Sequence, residues 1–368
     1  MHVVICGGGV IGACTAYFLT RRAIDVTVVE RTGVASSASG KAGGFLALDW
    51  CAGSALDELA RRSFALHANL PNEIGGDWGY QRMAAYSGLV VPKRDRRRHV
   101  SAGLAWLSDG VIIEAQLGTT ETTAIVHPRS FTSAMMHAAQ QQGAVLHHGQ
   151  IRGVVRGAKG SAVEGVKVDG EIIQADAVVI AMGPWSLLAA QWMRLPAVFG
   201  QRSPSLVYNT SKEIPADALF LEYREESGNV VAVEVFPRAD GSTHVTAFPS
   251  QALLPMDPAD VKPEPDAIEK LQTICERLSP AFRAENIIAR QACFRPVTRD
   301  GLPLIGKIPG SEGAYIATGH NVWGILNAPA TGEAIAELIA DGVATKIDLA
   351  PFDPARLRPL GPASIRTA

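Results

Sequence analysis

The chain has no run of ~18 or more apolar residues, so no membrane-crossing helix is expected. Neither sign of charge prevails. Against 34 Lys and Arg stand 36 Asp and Glu, a formal net charge of −2, which leaves no basic surplus for nucleic acid. There is no CxxC pair. The five cysteines, Cys6, Cys14, Cys51, Cys275 and Cys293, are odd in number and irregularly spaced. Neither a disulfide framework nor a zinc site is expected, and a reducing, cytoplasmic setting fits best. His147 and His148 have no third ligand type nearby, so no metal is expected. The apolar N-terminus imitates a signal peptide. However, no Lys or Arg precedes the apolar stretch and three glycines interrupt it, so no targeting segment is expected.

What is present is a globular composition, 47 % apolar and 19 % charged over 368 residues, with room for about two domains. Glycine is in excess, 36 residues or about 10 % against a usual ~7 %. With no repeat to account for it, the excess points to tight turns and backbone packed close to a ligand.

The first thirty residues are the most informative. Val3 to Cys6 reads as a buried parallel strand, and it runs into GxGxxG at Gly7, Gly9 and Gly12. A helix is expected over Ala13 to Arg22, and Asp25 to Glu30 is a second buried strand that ends on an acid. This is a βαβ dinucleotide unit. Gly7 allows the tight turn, Gly9 lets a pyrophosphate approach the backbone (Val10 and Ile11 lying beside it), and Gly12 lets helix and strand pack closely. The phosphates would rest on the helix N-terminus. Glu30 would accept the ribose hydroxyls, which favours an unphosphorylated ribose without separating NAD from FAD.

Next comes a small-residue stretch, Arg31 to Gly44, containing Ser37, Ser39, Gly40, Lys41 and Gly43, which can pass close over a cofactor. Phe45 to Trp50 would then reach the reacting end, with Phe45, Asp49 and Trp50 as candidate pocket residues. Helices are expected over Leu56 to Leu70, from Pro128 to about Gln142, over Ala267 to Leu278 and over Thr331 to Ala340. Lys93 to Arg98 reads as a solvated charge run. Residues 144–175 read as a small antiparallel meander. Ala177 to Ala181 is another buried parallel strand, ending at Gly183 and Trp185. Asp240-Gly241 signals a hairpin, and the last dozen or so residues read as a loose tail.

The fold class is α/β. A Rossmann-type nucleotide domain (parallel sheet plus β-meander) is expected over 1–50, 125–200 and 290–350. An inserted antiparallel-sheet substrate domain is expected over 51–124 and 201–289, and a tail over 351–368. Glu234 lies in an alternating run: Val231, Val233 and Val235 face one way, Ala232, Glu234 and Phe236 the other. Its carboxylate is either on a solvent face or aimed into a cleft, and in a cleft it would favour extra positive charge on a substrate.

Five ordered blocks carry a resemblance over nearly the whole chain. They are CGGGVIG with Glu30, VASSASGKAGG, VHPRSFTSAM, VVIAMGPWS, and CFRPVTRDGLPLIG with ATGHNVWGILNAPATGEA. The chain resembles the FAD-dependent D-amino-acid oxidase superfamily, which includes glycine oxidase and sarcosine oxidase. GILNAPATG is most similar to the glycine-oxidase branch. SGKAGGFLALDWC and GHNVWGILN also resemble a little-characterised branch of oxidoreductases.

The resemblance implies FAD, an amino-acid or amine substrate, hydride transfer to flavin N5, hydrolysis of the imine, and reoxidation by O2 to hydrogen peroxide. Two alternatives stand beside it: a dehydrogenase with another acceptor, and a flavin-binding scaffold protein. A homo-oligomer is left open. Arg295 matches the carboxylate-binding arginine. A guanidinium suits that task because it offers a bidentate fork. The loop Gly319, His320, Asn321, Val322, Trp323, Gly324, Ile325 would pass the flavin ring, with His320 polarising a flavin carbonyl or hydrogen-bonding within the loop. Leu326 stands where sarcosine oxidases carry a lysine. Cys293 lies seven residues before Asp300, the spacing of the covalent flavin link in sarcosine oxidases, so covalent attachment and an inert buried cysteine both stay open.

Overall fold

The computed structural model describes residues 1–91, 104–158, 160–211, 214–225 and 227–360. The charge run Lys93 to Arg98 lies outside them.

A six-stranded sheet forms the base. In spatial order its strands are Leu304–Lys307, Ala314–Thr318, Ala177–Ile180, His2–Cys6, Asp25–Glu30 and Val145–His148. All pairs are parallel except the first, which is antiparallel. The central strand is buried on both faces, as a parallel strand must be. Val3 and Ile5 pack on helices, whereas Val4 and Cys6 pack on a three-stranded meander formed by Ile151–Arg156, Val163–Val168 and Glu171–Gln174.

The described helices are α1 (Val10–Thr20), α2 (Ala38–Lys41), α3 (Asp57–Ile74), α4 (Pro128–Gln141), α5 (Pro265–Leu278) and α6 (Gly324–Ala340). Helix α1 thus starts three residues before the expected Ala13, directly on the glycine loop.

The expected meander is corrected in one element. Val145–His148 does not join it but extends the parallel sheet beside Asp25–Glu30, with Glu30 opposite His148. It is an edge strand, and Val145 is 56 % exposed. A half-solvated edge carries the same mixed pattern as a meander strand, so composition does not separate them.

Helix α6 begins seven residues before the expected Thr331 and contains Pro329. A proline removes the N–H that would have bonded the carbonyl of residue 325. His67 of α3 supplies the missing donor, Nε2 to Ile325 O at 2.9 Å. One turn earlier on α3, Ser63 Oγ accepts the N–H of Ala330 at 3.0 Å. The proline is therefore accommodated by a neighbouring helix far away in sequence.

This role requires a proton on Nε2, and burial keeps the ring neutral by pushing its pKa down to about 4. Burial also holds His320 down to about 3 and His244 well below the usual histidine range, with Arg238 and Arg295 adding to the effect. The unfolded chain takes up these protons first. Stability therefore falls as pH drops from about 6.5 toward 4, by up to about 1.4 kcal/mol per pH unit for each histidine. Thermal melts at pH 7 and pH 5 should show this loss. His67→Gln, which keeps a donor but cannot titrate, should make the slope shallower; an unchanged slope would remove His67 from the account.

The second large sheet has eight strands. It includes Phe199–Asn209, Ser242–Thr246, Val230–Pro237, Asp217–Arg224 and Ala84–Val90 in that order, with Ile287–Val297 on the other side of Phe199–Asn209. The pairing is antiparallel apart from Asp217–Arg224 with Ala84–Val90. The Asp240-Gly241 hairpin is present. The boundary expected at residue 290 falls inside the strand Ile287–Val297, which belongs to this sheet. One face packs Leu206, Tyr208, Leu219, Val233, Val235 and Val245 on Leu271, Ile274 and Leu278 of α5. The other face turns toward the glycine loop.

The expected tail is also corrected. Phe352 is buried, and Arg356 holds Asp300 through Nε at 2.7 Å and Nη2 at 3.1 Å. Residues 351–360 are therefore docked, and 361–368 lie outside the described residues.

Candidate active site

A cavity of about 520 Å³ runs between the two sheets. At one end is the glycine loop. Gly7 sits at φ +112°, and a side chain there would meet Ala181 O at 2.5 Å. At Gly12 a Cβ would lie 2.0 Å from Gly7 O, so this glycine serves packing, as expected, and does not line the cavity. Gly9 differs. Its backbone is extended, and a Cβ would meet only Ser39 Oγ, at 3.2 Å. The N–H of Val10 donates to that hydroxyl at 2.9 Å. Glu30 accepts from the N–H groups of Gly8 at 2.7 Å, Thr32 at 2.8 Å and Gly33 at 3.2 Å. Its carboxylate is thereby fixed at the rim, beside Gly149, Gln150 and Ile151.

Arg31 lines this end, but its guanidinium is paired with Asp257 and donates to Met256 O. Trp185 Nε1 donates to Pro255 O at 2.8 Å. Both side chains thus clasp the segment 255–257 that covers the cavity, a partner the sequence did not reveal.

At the other end lies the second sheet. Period-two alternation brings Phe220, Glu234, Phe236, His244, Thr246, Ser203, Ser205, Cys293 and Arg295 to one cavity-facing side. Arg295 Nη2 donates to Ser203 Oγ at 3.0 Å. Thr246 Oγ1 donates to Pro204 O at 2.8 Å. Its single proton is thus committed, so it accepts from Ser203 Oγ at 3.2 Å. The chain Arg295 to Ser203 to Thr246 to Pro204 has one direction throughout and orients the guanidinium. Among the described residues Arg295 Nε, buried, has no partner, and neither do His320 Nδ1 and Asn321 Oδ1 on the facing loop. These orphaned polar atoms mark where a polar ligand belongs.

Aromatic rings wall the same region. Phe45 lies 5.0 Å from Trp50 and 5.6 Å from Phe236, and Trp50 lies 4.8 Å from Phe220 and 6.4 Å from Trp323, centroid to centroid. Gly43 is required here, because a Cβ would meet the Phe236 ring at 2.3 Å. Arg238, missed in the sequence, clamps this loop by donating to Ala42 O at 2.7 Å.

Gly183, Ser37, Lys41, Gly44, Val322, Gly324 and Ile325 also line the cavity. Asp49 does not. It is exposed, so its expected pocket role is corrected: the chain turns outward after Leu48, and only Trp50 points back. Gly40 and Gly319 lie behind the lining, where side chains would strike Ala35 O and Thr298. His320 is buried and neutral, with Nε2 3.0 Å from Thr331 Oγ1. Ser203 and Thr246 were legible only as alternating polar positions in otherwise apolar strands.

The pattern of the DAO family, described as FAD dependent oxidoreductase, matches residues 2–338. The chain belongs to this family. A glycine oxidase of Pseudomonas putida is 27 % identical, covering 96 % of this chain and 98 % of its own length. A Schizosaccharomyces pombe protein named as an oxidoreductase, with no substrate stated, is 28 % identical over 96 % of this chain and 97 % of its own. The crystal structure of glycine oxidase from Geobacillus kaustophilus has the same fold, with a TM-score of 0.78 at 23 % identity, covering 98 % of this chain and 99 % of that one.

This chain is thus an FAD-dependent oxidoreductase of the DAO family. The cavity fits the cofactor on its own terms: an open approach at Gly9, a fixed acid at Glu30, and unpartnered polar atoms at residues 320 and 321.

Proposed function

We propose that the chain oxidatively deaminates a small amino acid or related amine and uses O2 as acceptor, giving hydrogen peroxide and, after imine hydrolysis, an oxo acid. The observation that supports this most is Arg295. A guanidinium held by one hydroxyl chain, with a buried unpartnered Nε and an aromatic-walled space in front of it, suits a carboxylate.

FAD, when bound, supplies the hydride acceptor. The residues that would hold it are the Gly7–Gly12 loop, Glu30, the Ser37–Gly44 stretch and the 320–325 loop. The protein's own part is then positioning. Arg295 fixes the carboxylate end, Phe45, Trp50, Phe220 and Phe236 exclude water, and Gly43 and Gly44 bring backbone close. His320, held neutral, serves as a hydrogen-bonding group rather than as an imidazolium acid. Oxygen consumption with matching peroxide tests the acceptor. Dye reduction without peroxide would assign the dehydrogenase reading instead. The free, buried cysteines fit a reducing, cytoplasmic setting.

The cofactor is held non-covalently in this reading. Cys293 lines the cavity, but burial pushes its thiol pKa up, against smaller opposing pulls from Arg295 and Lys41. The thiolate that a thioether bond needs is therefore scarce. Acid precipitation should leave all the FAD in the supernatant. Colour retained in the pellet, and lost in Cys293→Ala, would contradict this.

A further inference from the structure

The cavity-facing side of the second sheet carries a carboxylate, Glu234, that the reaction as described does not use. Glu234 stands between Phe220 on one neighbouring strand and Thr246 on the other. Among the described residues no hydrogen bond or ion pair reaches it. Burial raises its pKa, and Arg295 alone pulls the other way. Arg295 is near enough to be felt but makes no ion pair with it.

Among the described residues no other nearby cation of the protein is paired with Glu234 either. Arg238, at the end of the same strand, gives its guanidinium to Ala42 O and Gly43 O. Lys41 also lines the cavity, but it is felt by Cys293 and Arg129 rather than by Glu234.

The surroundings of Glu234 are aromatic. Phe220 and Phe236 flank it and lie 5.6 Å apart, Trp50 is 4.8 Å from Phe220, and Phe45 is 5.2 Å from Phe220. A half-buried carboxylate among aromatic faces is a cation site, because ring quadrupoles and the negative charge favour the same ligand and desolvation strengthens both. An anion placed there meets like charge at low dielectric.

We propose that Glu234 and its aromatic walls receive a cationic nitrogen on the substrate's side chain, so that the site favours amino acids with cationic side chains and rejects dicarboxylic ones. The inference deepens the reading above and rests on Arg295 as the carboxylate clamp. Glu234 is then a specificity-determining residue: Arg295 sets the anionic end of the substrate and Glu234 the cationic end, and the gap between the two side chains sets which molecules span it.

The test compares kcat/KM for ornithine and aspartate, both enantiomers of each, in the wild type and in Glu234→Gln. The wild type should prefer ornithine by at least about tenfold, and Glu234→Gln should lower that ratio by at least about fivefold. A smaller wild-type preference, or a smaller change in the variant, overturns the proposal. Calorimetry on the FAD-loaded protein gives an independent readout with two unreactive anions, acetate and malonate. Malonate should gain on acetate by at least about fivefold in Glu234→Gln; a smaller gain also overturns the proposal. If no amino acid is oxidised, the deamination reading fails, and the calorimetric ratio alone decides the role of Glu234. If Glu234→Gln does not fold, the wild-type preference decides.

Discussion

Arg295→Met is expected to leave FAD content unchanged and to lower kcat/KM for a carboxylate substrate by roughly 30- to 5000-fold, mostly through KM. The basis is the loss of a buried charge-assisted contact, which costs about 2–5 kcal/mol. Methionine fills similar volume, so the strand Ile287–Val297 keeps its pairing with Phe199–Asn209. What is lost is the directed chain through Ser203, Thr246 and Pro204 O, together with the cation it orients. Steady-state kinetics beside the flavin spectrum of the purified variant check this. A kcat/KM within threefold of wild type would place the clamp elsewhere. An amine substrate without a carboxylate should be nearly indifferent to the change, which separates loss of the clamp from general damage.

The glycine loop yields the second large effect, because its three glycines are required for different reasons. Gly9 has an ordinary extended backbone, and a Cβ there would press only on the Ser39 hydroxyl, at 3.2 Å, which a side-chain shift can relieve. Gly9→Val should therefore fold, melt near the temperature of the wild-type apoprotein and carry no FAD, since the side chain occupies ground a pyrophosphate needs. At Gly12 a Cβ would lie 2.0 Å from the Gly7 carbonyl oxygen. Gly12→Val should therefore fail as a fold, with little soluble protein, because the first strand and α1 cannot close on each other. Apoprotein melts and flavin content distinguish the two. A yellow, fully loaded Gly9→Val would refute the phosphate loop, and a well-folded Gly12→Val would refute the packing role.

Much of this was legible in the sequence where a feature is local. The βαβ unit could be read because a glycine at positive φ, a helix start and an acid at a strand end are all specified within thirty residues. Arg295 and Cys293 could be placed on one face because strand side chains alternate. The features that escaped depend on distant partners. The start of α6 at Gly324 was hidden by Pro329, which is tolerated only because His67 and Ser63 of α3 take up the disrupted backbone groups. Residues 351–360 read as part of a C-terminal tail because the partner of Arg356 is Asp300, far away in sequence. Arg31 read as a cofactor contact, and nothing near it in sequence announces Asp257. For Glu234 the alternation limited the choice to two faces. Only the packing of α5 on the opposite face decides that this one looks into the cavity. Asp49 was placed by proximity to the loop, but proximity does not set direction.

The most direct test of the central claim is an anaerobic titration of the purified protein with glycine, sarcosine, proline and both enantiomers of common amino acids, following the visible absorbance of the bound flavin. At least one of them should bleach it in a single turnover, and the same compound at equal concentration should bleach Arg295→Met at least about 30-fold more slowly. A fully loaded wild-type flavin that none of these compounds reduces would contradict the assignment of this cavity to amino-acid oxidation.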